Sequence, residues 1–407
     1  MTNNKKKYIP KLRFPEFQNN GEWNNVLIGD IIKMVTPQKK VPTLEYRKIG
    51  LFPIIDQSLK HIAGYSDDKT ALLNIHKCDY IIFGDHTCSI KLINFPFIQG
   101  ADGIKIFYSN NQCLHTHFLY QYLLAYPIHP NGYKRHFSEL KEQTIFYPTN
   151  IQEQKKIAGC LSSLDTYIDT TKRKLELLKE YKKGLMQQLF PTLGKNIPEL
   201  RFPEFRKASA WVYQTLGSMG DTYGGLSGKS AEDFGRGKPY VTYKQVFSSL
   251  EIDFSHCQQV QITTNEKQHK LQYGDILVTM SSETPEEVGY TAVVATKDIP
   301  ECYLNSFCFI YRLFEEQDVD INFLIYLFNS DVYRKNAVRI AQGITRFNIS
   351  KTKFKEIALP IPNSKDEQRK IAKILSSVDY QLTYYTKKIH SLELHKKGLM
   401  QRLFPQL

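Results

Sequence analysis

TNIQEQKKIAGCLSSLDTYIDTTKRKLELLKEYKKGLMQQLFP occupies residues 149–191, and NSKDEQRKIAKILSSVDYQLTYYTKKIHSLELHKKGLMQRLFP occupies residues 363–405. They are one phrase written twice, 214 residues apart, and their last ten residues differ only at Gln188 and Arg402. Apolar residues recur at alternating spacings of four and three. The first seam is Ile157, Leu161, Leu164, Ile168, Thr171, Leu175, Leu178, Lys182, Leu185 and Leu189. The second is Ile371, Leu375, Val378, Leu382, Tyr385, Ile389, Leu392, Lys396, Leu399 and Leu403. A 3.5-residue repeat sustained this long predicts a coiled-coil helix. Asn150-x-x-Glu153 and Ser364-x-x-Glu367 read as capping boxes at the two starts, and Pro191 and Pro405 stop both helices. At about 1.5 Å per residue each rod is roughly 58 Å long.

A helix with such a seam cannot bury it alone. The twin helix is one partner, favoured by the matched register and by a lysine at the same seam position in each. The globular part of each half is the other. A pseudo-twofold axis across the rods makes them antiparallel and one along them makes them parallel; the spacing does not choose.

A second repeat lies upstream. PKLRFPEF at residues 10–17 returns as PELRFPEF at 198–205, and the same 188-residue lag matches Trp23 to Trp211 and Gly29 to Gly217. These are the chain's two tryptophans. Each half is thus framed by duplicated ends, while the lag grows by 26 residues across interiors that differ in length and sequence. Both interiors have α/β texture. Strand-like runs are Asp79–Phe83, Gly103–Tyr108, Asp275–Met280, Tyr290–Ala295 and Phe307–Leu313; helix-like runs are His117–Tyr126 and Ile321–Ala341. Extended, proline-bounded IFYP (145–148) and ALPIP (358–362) lead into the long helices. Because the second PELRFPEF follows the end of the first helix, joining the two ends of the chain would recreate that junction. This predicts a pseudo-symmetric ring with neighbouring termini, Phe14 and Phe17 packing near the second helix end as Phe202 and Phe205 pack near the first.

A net charge of +13 over 407 residues points to a polyanionic partner, nucleic acid before membrane. No apolar run approaches the roughly 18 residues of a membrane span, and the basic N-terminus lacks a signal-peptide core. Seven dispersed cysteines without a C-x-x-C pair signal neither zinc nor a disulfide framework, which fits a cytoplasmic location. There is no Asn-Pro-Pro-Tyr or Asp-Pro-Pro-Tyr methyltransferase loop, no G-x-G-x-x-G, and no nuclease cluster. Gly224–Ser230 resembles a phosphate-binding loop, but Tyr223 stands where the first glycine is required. No catalytic residue and no metal ligand is assigned.

What remains are candidate DNA contacts. Lys229 and Ser230 on the glycine-rich turn suit a phosphate. The loops Asn131–His136 and Gln342–Phe347 each carry a glycine followed by basic or hydroxyl groups, Lys134 and Arg135 in one and Thr345 and Arg346 in the other; arginine forks clamp phosphate or read guanine. Strand ends add Asp85, His86 and Thr87, and Ser281, Ser282 and Glu283, whose short polar groups match base edges. Tyr243 and Lys244 complete the set. Each has a bland alternative in an ordinary surface turn or a helix cap.

Two unlike interiors, each followed by a helix that begins (N/S)-x-x-E-Q-(K/R)-K-I-A and ends K-K-G-L-M-Q-x-L-F-P, resemble the specificity subunit of a type I restriction-modification system. The resemblance covers the whole chain. It implies an α/β chain with two target recognition domains, 18–149 and 206–362, separated by antiparallel coiled-coil helices, 150–191 and 363–407. Residues 1–17 form an N-terminal segment and 192–205 a linker with the repeat. It further implies that each domain reads half of a bipartite, asymmetric double-stranded DNA site. The helices act as a ruler, and two methyltransferase subunits dock to methylate adenine N6. S-adenosylmethionine belongs to those partners, and ATP and Mg to the partner restriction subunits; the chain holds no cofactor and is not itself an enzyme. Alternatives are a stand-alone two-headed DNA-binding regulator and a coiled-coil scaffold.

Overall fold

The computed structural model describes every residue except 1–7, 76–78, 102, 111, 133, 406 and 407. The chain falls into two compact units, Met1–Arg173 with Thr386–Leu407, and Lys174–Tyr385.

Both seams are single helices of 39 residues, Ile151–Leu189 and Lys365–Leu403. In the first unit Asp165 meets Lys396 at 2.5 Å and Lys172 meets Glu393 at 2.7 Å. In the second, Lys174 lies 4.7 Å from the Tyr385 ring centre and Lys182 meets Asp379 at 2.6 Å. Numbers rise along one helix as they fall along the other, so the helices are antiparallel within each unit. The seam lysines therefore point across to an aspartate of the twin helix. Ile157, Leu161, Ile168, Leu175, Leu185, Ile371, Leu375, Val378 and Ile389 are buried, and Leu164, Leu178, Leu382, Leu392 and Leu399 half-buried.

The seams have both kinds of partner at once. In the first unit, Ile157 and Leu161 share a core with Leu403 and Phe404 from the end of the other helix and with Phe118, Leu119 and Tyr122 of the interior. In the second unit, Ile371, Leu375 and Val378 share one with Leu185, Leu189 and Phe190 and with Phe323, Leu324 and Leu327. In each unit a helix start, a helix end and part of the interior thus share one apolar cluster.

The interiors repeat a sheet despite their different residues. In the first the strand order is Ile32–Val35, Ile104–Ser109, Tyr80–Gly84, Ile90–Ile93; in the second it is Gly220–Gly224, Cys308–Leu313, Ile276–Thr279, Thr291–Val293. Every neighbouring pair is antiparallel. The central strands read as continuous apolar runs because both faces are covered: Ile81, Ile82 and Phe83, like Ile276, Leu277 and Val278, are buried. A smaller sheet accompanies each, built around a parallel pair, Phe52–Ile55 with Phe97–Gln99 and Phe234–Val241 with Tyr303–Leu304. The extended stretches before the long helices pair with the segment after each tryptophan, Thr144–Tyr147 with Asn24–Leu27 and Ala358–Ile361 with Val212–Thr215.

Two sequence expectations change. The run Ile321–Ala341 is two helices, Ile321–Leu327 and Asp331–Ile340. Ser330 divides them: its hydroxyl donates to the Leu327 carbonyl at 2.6 Å and accepts from the Tyr333 N–H, the competition that makes serine a helix boundary. The capping boxes are half right. Asn150 and Ser364 accept from the N–H groups of Gln152 and Glu367, but neither glutamate turns back to its cap. Glu153 receives Arg13 at 2.6 and 2.8 Å, and Glu367 receives Arg201 at 2.7 and 2.8 Å. The remaining guanidinium donors go to the carbonyls of Asn20 and Gly21, or of Ala208 and Ser209.

This gives the PxLRFPEF phrase its job. Its leucine N–H donates to the end of a long helix, Leu12 to Arg402 O at 2.8 Å and Leu200 to Gln188 O at 2.9 Å. Its arginine clasps the start of the other. All four phenylalanines are half-buried, Phe14 and Phe202 packing onto the two cores. Trp23 meets Phe404 edge-on at 6.4 Å as Trp211 meets Phe190 at 6.1 Å. The two described ends of the chain thus lie together in the first unit, and the contacts that close it repeat those of the internal junction. Among the described residues no helix is long and apolar enough to cross a membrane.

Candidate nucleic-acid interface

In each interior the turn after the central strand is hydrogen-bonded to the loop that precedes the last short helix. In the first, His136 N–H donates to Asp85 O at 2.9 Å, and the His86 ring nitrogen lies 3.1 Å from Lys134 O. In the second, Ser281 and Ser282 pair with Asn348 and Phe347, and Ile349 N–H donates to Met280 O at 2.9 Å. The strand-end residues and the glycine-loop residues singled out separately in the sequence are therefore neighbours, once per interior.

Their individual fates differ. Asp85 is 2% exposed and its carboxylate accepts the Phe137 N–H at 2.9 Å, capping the helix Phe137–Glu142. That role takes it away from any base edge. Thr87 is exposed and donates to Gln57 O at 2.7 Å. Lys134 and Arg135 are exposed, Lys134 lying 3.7 Å from Glu139. Tyr133, in the same loop, lies outside the described residues.

Lys229 and Ser230 are taken up inside their own loop. The Lys229 ammonium reaches Glu266 and the Gln261 carbonyl, each at 2.5 Å, with only 5% of its side chain exposed. The Ser230 N–H and hydroxyl both donate to Asp233. Lys229 holds the Glu266 carboxyl down at about 2, the hydrogen bond from its ammonium being the largest cause. A phosphate would have to displace that ion pair, so the glycine-rich turn is internally braced.

The other second-interior candidates converge. Tyr243, Ser281, Ser282, Glu283 and Arg346 line one open cavity of about 300 Å³, together with Phe247, Glu287 and Phe307. Tyr243 donates its hydroxyl to Ser281 O at 2.8 Å, and its ring stacks on Phe247 with centroids 6.0 Å apart. Burial pushes the Tyr243 phenol up, keeping it a donor. Ser282 donates to Glu287 at 3.0 Å. Lys244, on the same short helix as Tyr243, and Thr345, beside Arg346, are exposed. The loop is closed by reciprocal backbone bonds between Gln342 and Asn348, at 3.0 and 2.8 Å. Gly343 opens it at φ 145°, where a Cβ would sit 2.0 Å from Arg346 O, so only glycine fits. Phe247, Glu287 and Phe307 were not anticipated. Phe307 begins a run read only as a strand, yet it is 57% exposed at the strand's edge.

Residues 20–180 and 209–394 match the family model described as "Type I restriction modification DNA specificity domain". The "Type I restriction enzyme MjaVIII specificity subunit" of Methanocaldococcus jannaschii is 26% identical over 422 residues, spanning 96% of this chain and 93% of that one. The "Putative type I restriction enzyme MjaX specificity subunit" of the same organism is 26% identical over 280 residues, 65% of this chain and 59% of its own. The crystal structure of the type I restriction-modification S subunit from M. genitalium shares the fold with a TM-score of 0.61, at 18% identity and 98% and 99% coverage. A doubled framework, two unlike interiors and a family match in each half lead to one conclusion: the chain belongs to the family of type I restriction-modification specificity subunits, and its part is DNA recognition.

Proposed function

We propose that each interior reads one half of a bipartite, asymmetric DNA site, and that the two long helices set the gap between the halves. The observation supporting this is that a repeated framework holds two different interiors. The Arg–Glu clasp, the strand pair after each tryptophan and the four-stranded sheet order recur, while the loops at the ends of the central strands differ in sequence. Reading two different sequences from equivalent positions requires that combination. The excess positive charge supplies phosphate affinity independent of sequence, and the exposed polar groups of the loops supply base discrimination.

The chemistry comes from partners. Two methyltransferase subunits dock on this chain and methylate adenine N6 in each half-site with S-adenosylmethionine, flipping the base into their own pockets. Restriction subunits that use ATP and Mg complete the assembly. The test is to mix the purified chain with type I methyltransferase subunits, labelled S-adenosylmethionine and random-sequence DNA. Transfer confined to one bipartite motif supports the reading. Sequence-specific binding with no transfer under any pairing would favour a stand-alone regulator instead.

A further inference from the structure

Glu283 and Arg346 stand out in the second interior because nothing in the fold uses them. On the cavity wall Glu287 is engaged by Ser282; elsewhere in the same interior Arg334 is spent on the carbonyls of Glu286, Val288 and Gly289 while its guanidinium lies 4.4 Å from the Tyr290 ring centre. Glu283 and Arg346 are both exposed on the cavity wall, and neither side chain has a hydrogen-bond or ion-pair partner among the described residues. One is an acceptor-only carboxylate; the other is a donor-only fork. They are mounted on separate segments held in register by the Ser281–Asn348 and Ser282–Phe347 pairing. Tyr243, Phe247 and Phe307 give the space between them an apolar lining.

We propose that this cavity takes the major-groove edge of one G·C base pair, Arg346 donating to guanine O6 and N7 and Glu283 accepting from cytosine N4. The inference rests on the half-site reading above and names what one part of that reading recognises. Among the four base pairs, G·C places two adjacent acceptors beside a single donor, which is the complement of an arginine fork next to a carboxylate. At about 30 Å³ per water, the cavity holds roughly ten waters. That is room for a base edge rather than a length of backbone. The aromatic lining lowers the local dielectric, so that a mismatched base leaves a charge unpaired where water compensates poorly.

The experiment maps the methylation motif of the full chain with its methyltransferase, for wild type and for Arg346→Ala, Arg346→Lys and Glu283→Gln. Both sites are exposed, and thermal denaturation confirms that each of the three variants folds. One G·C position in one half-site should relax by about 5- to 150-fold in both Arg346 variants and in Glu283→Gln, with the other half-site unchanged. Arg346→Lys keeps the charge but loses the fork; transfer by Arg346→Ala that weakens uniformly across sequences with the motif unchanged would assign Arg346 to a phosphate and overturn the proposal. An unchanged motif in all variants, or relaxation at an A·T position, would overturn it too. If the wild-type pair shows no bipartite motif at all, the half-site reading itself fails, a separate result.

Discussion

Arg201 donates from two nitrogens to both oxygens of Glu367, at 2.7 and 2.8 Å, across 166 residues of chain, and both side chains are almost fully buried. Arg13 and Glu153 make the same contact in the other unit. The clasp ties the segment entering each interior to the helix leaving it, so each interior is gripped at both ends of its own sequence.

Breaking one partner of a buried pair leaves an uncompensated charge and costs about 3–5 kcal/mol. Glu367→Gln should therefore destabilise the Lys174–Tyr385 unit by that amount. Trp211 reports it directly, since its indole N–H donates to Glu367 at 3.3 Å. In a Trp23→Phe background, urea unfolding followed by Trp211 fluorescence gives the number, and a loss below about 1 kcal/mol would show the clasp to be dispensable.

The seam lysines predict an unequal pair of effects. Asp379 accepts from both Lys182, at 2.6 Å, and the Tyr326 hydroxyl, at 2.9 Å. Asp379→Ala strands two donors and should cost about 1–3 kcal/mol. Lys182→Ala removes one partly exposed ion pair and should cost about 0.2–1 kcal/mol. Denaturant midpoints at constant slope measure both; equal losses would mean that Tyr326 adds nothing.

Acid should loosen the smaller sheet of the second interior. Lys229 holds Glu266, and Lys238 and Lys270 hold Glu301, at about 2 against an ordinary 4.5. A carboxylate depressed in the folded state contributes stability that is fully present above the unfolded value and is lost as pH falls through the folded one. Amide protection factors around Phe234–Val241 and Tyr303–Leu304, taken against the intrinsic exchange rate at each pH, should thus be flat from neutrality to about pH 4.5 and fall below it. Glu266→Gln combined with Glu301→Gln should remove most of that fall.

If the helices are a ruler, adding one heptad to both Ile151–Leu189 and Lys365–Leu403 keeps the seams in phase and lengthens the gap between half-sites while preserving the half-sites themselves. Methylome sequencing reads the outcome. An unchanged gap with altered half-sites would refute the ruler.

What could be read in advance followed from local rules. Heptad spacing marked the long helices, and continuous apolar runs marked the central strands, because burial imposes those patterns residue by residue. The clasp was missed for the opposite reason. Glu153 and Glu367 sit three residues after Asn150 and Ser364, which satisfies a local capping pattern, while their actual partners are 140 and 166 residues away. The signal was present: arginine and glutamate recur at matched places in both halves. Likewise nothing local distinguishes Asp85, spent on a helix cap, from Glu283, left facing the cavity. Loop residues of one type acquire opposite roles from neighbours that only the fold supplies.

If the two interiors read independently on one framework, exchanging one leaves the other's half-site untouched. The decisive measurement replaces residues 206–362 with the second interior of a related specificity subunit and maps methylation motifs with the same methyltransferase. The expected motif has one half-site exchanged and the other, with the gap, retained. A motif changed in both halves would show that the interiors do not read independently.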